Sequence, residues 1–108
     1  MKLRDYLSIP YIIQAQPYEV SEGEWVRRLA YPELGDFVAE GQDVEQVYLE
    51  IERLRYAEIV KRLKAGDPPP VPRAPLETAD PAWWAAFLGI SDLVDGLLDK
   101  DATELASA

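Results

Sequence analysis

A chain of 108 residues, nearly half of them apolar and with three Trp and six Tyr, is long enough to bury one modest core and too apolar to stay disordered. It contains neither Cys nor His, which excludes thiol and imidazole chemistry, a disulfide framework and the usual soft-metal ligands. Its 11 basic and 20 acidic side chains leave a formal charge of −9, which disfavours direct nucleic-acid binding and favours a basic partner, because affinity for nucleic acid comes from neutralising phosphates.

The first residues, Met1 to Pro10, lack the uninterrupted apolar run of a signal peptide. No segment approaches the roughly twenty apolar residues of a membrane span, so the expected setting is cytoplasmic, with no membrane contact. From Tyr11 to Tyr18 the chain alternates, with Tyr11, Ile13 and Ala15 on one face and Gln14 and Gln16 on the other, the pattern of a half-buried strand. Pro17 cannot donate to a ladder and belongs near a strand end or on a sheet edge. A turn at Ser21-Glu22-Gly23 leads to a second strand, Trp25 to Tyr31, with Trp25, Leu29 and Tyr31 on one face and Val26, Arg28 and Ala30 on the other. After a turn over Pro32 to Asp36, Phe37 to Glu40 supplies a third short strand of an antiparallel meander.

A long helix follows. Asp43 is its expected N-cap and Gly66 its stop after Ala65; acids crowd the first half and Lys61, Arg62 and Lys64 the last turns, as the helix dipole favours. Its apolar residues form two faces. Val44, Val47, Tyr48, Ile51 and Leu54 make one stripe, and Leu49, Tyr56, Val60 and Leu63 a second that the sheet cannot also cover; the C-terminal segment or another subunit must meet it. Asp67 to Pro81 reads as an extended Pro-rich strap. Asp80-Pro81 then opens a short helix bearing Trp83, Trp84, Phe87 and Leu88 and stopped by Gly89. Ser91 caps a second short helix along Leu93, Val94, Leu97 and Leu98, and the tail from Asp101 is expected to fray.

The segment Tyr31-Pro-Glu-Leu-Gly-Asp-Phe-Val-Ala-Glu-Gly41, the helix after it, and its end at Gly66-Asp-Pro-Pro-Pro-Val-Pro72 together resemble the core of HicB-type antitoxins. Pro32, Glu33, Leu34, Glu40, Gly41, Gly66, Pro68 and Pro70 carry the likeness, which spans residues 1–75 and leaves 76–108 as a strap end and helical appendage. Two positions depart from the pattern. Gly35-Asp36 stands where the family has Pro-Gly, and Gln42-Asp43 where it has Asp-Thr. The resemblance implies an α+β fold with a partial ribonuclease-H-like layout: a three- to four-stranded antiparallel sheet, one long helix on its face, and here two short C-terminal helices. It further implies a protein that binds and masks a small basic RNA-cleaving toxin of the HicA type by occlusion, without catalysis or cofactor.

Candidate partner contacts are Glu33, Leu34, Gly35 and Asp36 in the signature turn. Trp83, Trp84 and Phe87, with Tyr56 and Val60, form a candidate oligomer or partner interface, the alternative being a stand-alone domain that associates with itself as a dimer or tetramer. Many such proteins append a DNA-binding module, but here Lys100 is the only base among the six acids of residues 80–108, which points away from DNA. A metal-dependent nuclease would need converging carboxylates, whereas Glu22, Glu24, Glu45 and Glu52 read as a solvated face.

Overall fold

The computed structural model describes residues 1–107 and is α+β. A short helix α1 (Leu3–Leu7) precedes strands β1 (Gln14–Ser21), β2 (Glu24–Ala30) and β3 (Val38–Gly41), and a 21-residue helix α2 (Val44–Lys64) follows them. Three short helices close the chain: α3 (Pro81–Leu88), α4 (Ser91–Val94) and α5 (Ala102–Ser107).

The strands form one antiparallel sheet in the order β1-β2-β3. Pro17 lies in the middle of β1, opposite Arg27, and is tolerated there because β1 is an edge. The register places Leu29 opposite both Ala15 and Ala39, and Arg28 opposite both Gln16 and Glu40. Leu29 and Ala39 are buried, so their side of the sheet is the inner one. The outer side carries Tyr18, Val26, Arg28, Ala30, Val38 and Glu40, none of them buried. Helix α2 packs on β2 and β3, which leaves every residue of β1 exposed.

Each end of α2 is set by a local device. Asp43 accepts hydrogen bonds from the N–H groups of Glu45 (3.0 Å) and Gln46 (3.4 Å). At the other end Gly66 adopts φ +75°, and the N–H groups of Asp67 and Gly66 return to the carbonyls of Arg62 and Leu63, the paired bonds of a Schellman stop. Asp80 caps α3 through the N–H of Trp83, Pro81 occupies its first turn, and Gly89 ends it at φ +76°.

The chain termini depart from expectation. Leu3–Leu7 forms a helix although its five residues are too few to show a period. Its first N–H groups, from Leu3 and Arg4, donate to the carbonyls of Lys100 and Leu98. The tail does not fray at Asp101: Glu104 reaches back to accept the N–H of Asp101, Asp101 accepts the N–H of Ala102, and α5 packs on α2 with Leu105 1% exposed. Ser91 is the first helical residue of α4, with Ile90 in the cap position. One hydrophobic cluster runs from Leu3 through Ile51 and Ile59 to Leu105, so the second face of α2 is met within the chain by α1, α5 and the elements between.

Candidate protein-binding surface

The signature turn is held from inside the molecule. Glu33 forms a two-pronged ion pair with Arg73 of the strap (2.9 and 3.1 Å) and accepts the N–H of Ile12 (2.8 Å). These contacts keep its carboxyl below the usual range, the Arg73 hydrogen bonds contributing most. Leu34 is buried and its carbonyl accepts from Arg62 (2.9 Å); Gly35 lies close to the Phe37 ring; Asp36 is exposed. Leu34, Gly35 and Asp36 border an open depression with Glu58, Lys61 and Arg62 near the C-terminal end of α2. Tyr11 donates to the Pro70 carbonyl (2.7 Å) and the N–H of Leu76 to that of Ser8 (2.9 Å), so the strap is stitched along its length to the segment entering β1.

A second constellation was read from the sequence as solvated and is not. Glu52 is 3% exposed, because the turn of α2 that carries it is covered by α3. Its two carboxylate oxygens accept four hydrogen bonds: two from Arg55 (2.8 and 2.9 Å), one from the Tyr31 hydroxyl and one from the Trp84 indole N–H (2.9 Å). Burial opposes ionisation of Glu52, but these donors and the charge of Arg55 together bring its carboxyl below the usual range. Arg55 also donates to the Leu7 carbonyl (3.1 Å). The group ties sheet, long helix and α3 together with every polar atom satisfied.

Trp84 therefore faces inward, while its neighbours do not. Trp83 is 61% and Phe87 58% exposed. The three rings stack, with centroids 5.4 to 6.2 Å apart and planes within 18° of parallel, and Tyr48 lies 6.2 Å from Trp84. Tyr56 and Val60, proposed from the sequence for the same interface, are 1% and 3% exposed and belong to the core of the single chain.

Phe87 also forms one wall of a groove of about 540 Å³, lined by Ile13, Leu29, Val44, Glu45, Tyr48 and Leu49. It exists because α2 crosses β2 and β3 and leaves the inner side of β1 open. Val44 is 52% exposed for that reason, although its stripe spacing predicts burial. Glu45 is the one charged residue in the lining, and Asp43 caps the same helix end. The basic end of α2 at Lys61 lies about 27 Å away at 1.5 Å per residue. The sequence signal for this groove is the surplus of apolar faces on α2, but which face stays open depends on where the helix crosses the sheet. Among the described residues no three acidic side chains gather as a metal site, and no helix is long and apolar enough to cross a membrane.

No protein-family model, no curated protein and no solved structure matches the chain.

Proposed function

We propose that this protein captures and masks a small basic protein, as the resemblance to HicB-type antitoxins implies, and that its anchor is the groove between β2, the segment entering β1, α2 and α3. The observation that carries this reading is the open apolar groove itself, continuous through Phe87 with the Trp83–Trp84 stack and flanked by Glu45 and Asp43 on a chain of charge −9. Exposed aromatic rings beside an apolar depression supply desolvation energy at interface centres, and surrounding carboxylates speed encounter with a cationic partner. Masking a basic RNA-cleaving toxin needs no chemistry from the masking protein. It must cover the toxin's cationic surface and hold it.

In this reading the signature turn positions the strap, with Glu33 spent on Arg73, and Asp36 is the turn's free carboxylate. The test is capture from lysate at low and high salt, followed by assay of the recovered protein for RNA cleavage with and without this chain. The expected result is one small basic protein whose cleavage activity is blocked, with the block lost in Val44→Lys/Phe87→Lys. Both positions are more than half exposed, so the fold survives the change. A cleavage activity blocked equally by the groove variant but not by Glu33→Lys/Asp36→Lys would move the anchor to the turn, and a chain that blocks no captured protein would end the antitoxin reading.

A further inference from the structure

A second depression, of about 410 Å³, opens where the end of the strap meets α2 and α3. It shares Tyr48 with the groove, and the stacked rings of α3 link the two. Its aromatic walls are Tyr48, Trp83 and Trp84, the two indole planes lying within 18° of parallel. Of the three charged side chains in the lining, Glu52 and Arg55 are joined to each other at 2.8 and 2.9 Å, whereas Asp80 enters no ion pair among the described residues. One Asp80 oxygen caps α3 through the N–H of Trp83, which leaves the other unspent. Tyr56 lines the same depression within reach of the Asp80 charge. It is 1% exposed, yet its O–H donates to no acceptor among the described residues, so a buried wall keeps a polar group for a ligand.

We infer that this depression takes an arginine side chain of the basic partner, with its guanidinium on the exposed face of Trp83 and paired with the free oxygen of Asp80. The source of that side chain rests on the masking function proposed above. With Glu52 and Arg55 cancelling, Asp80 sets the charge of the site, and a carboxylate beside indole faces selects a cation. An anion would meet Asp80 on a chain already at −9, and a neutral ring could stack on Trp83 but would leave the carboxylate unused. Between the two basic side chains, a planar guanidinium stacks on a flat ring and forks toward a carboxylate, which an ammonium does not. The partner would thus place apolar residues in the groove and one arginine beyond the ring stack.

Titration of the chain with N-acetyl-arginine amide, followed through the three indole N–H signals by NMR, tests the site. The expected result is a saturable shift of the Trp83 and Trp84 signals that weakens with salt, while Trp25 on β2 stays still. The citrulline counterpart, equal in shape but uncharged, should move neither signal, and the lysine counterpart should bind several-fold more weakly. Asp80→Asn keeps a helix cap and should weaken binding about tenfold at unchanged Tm. Trp83→Leu, at a position 61% exposed, should do likewise. No saturable shift, equal binding of citrulline or lysine, or indifference to Asp80→Asn would overturn the assignment. A basic protein captured and blocked equally well by Asp80→Asn and Trp83→Leu would remove the depression from the interface and leave the masking function standing. Capture of no such protein would end that function, and with it the source of the arginine, whatever the probe shows.

Discussion

At the scale of single residues, position 52 concentrates more consequence than any other. A carboxylate at this depth is tolerable only because four donors converge on it, two of them from the guanidinium one helical turn away. Removing its charge alone leaves Arg55 buried without a counter-ion. Glu52→Gln is expected to cost about 3 kcal/mol, a fall in Tm of roughly 15 °C. Glu52→Gln/Arg55→Met should cost less than the single change, because no lone charge is left inside. Thermal unfolding of the two variants side by side checks both statements. Sequence reading placed Glu52 in solvent together with Glu22, Glu24 and Glu45, as acids at turns and on an exposed helix side, and nothing in helical spacing reveals that α3 returns over this one turn. Trp84 was legible as an aromatic anchor. Its polar partner was not.

Among the elements, those with long patterns or paired end signals were readable and those without were not. Helix α2 shows its cap, its stop and its charge order in the sequence; it starts after Asp43 as expected and ends at Lys64, one residue before the expected Ala65. β2 and β3 lie within one residue of where the alternation puts them, whereas β1 is displaced by three residues at each end, its pairing running on to the Glu22-Gly23 turn, and is exposed throughout rather than half-buried because α2 packs on β2 and β3. Helices α1 and α5 were missed for a common reason. Each is about one and a half turns long, and each is stabilised by the other end of the chain, through the bonds of Leu3 and Arg4 to tail carbonyls and through packing on α2. Short helices draw their stability from such contacts rather than from propensity. Leu105→Ala is accordingly expected to destabilise by about 3 kcal/mol, seen in urea unfolding as a lower midpoint, whereas a frayed tail would show no change.

The whole molecule should be most stable over a broad neutral plateau, for reasons that differ on its two sides. Glu52 and Glu33 titrate below the ordinary carboxylate value of about 4.3 in the folded chain. Their contributions are complete above that value and are lost as pH falls through the lower folded one. Four tyrosines act in the opposite sense. Burial pushes the Tyr11 and Tyr56 hydroxyls up to about 12 and raises Tyr31 and Tyr48 as well, so their contributions are complete below the ordinary value of about 10 and are lost as pH rises beyond it. Tm measured against pH should therefore fall below about pH 4 and above about pH 10. Tyrosinate absorbance should rise together with loss of the circular dichroism signal, and ionisation of all six tyrosines well before unfolding would contradict the burial argument.

The buried carboxylate also bears on how such a chain can change over evolutionary time. A C-terminal appendage joined through a plain linker can be exchanged for another by recombination, since the core does not register the loss. Here the core keeps an acceptor for an indole that only residue 84 delivers, and the strap leading there is itself paired to the turn after β2. A recombined tail would have to bring its own donor to that oxygen, or arrive together with a substitution at position 52. Inheritance should therefore hold Tyr31, Glu52, Arg55 and Trp84 as one set, kept together or lost together.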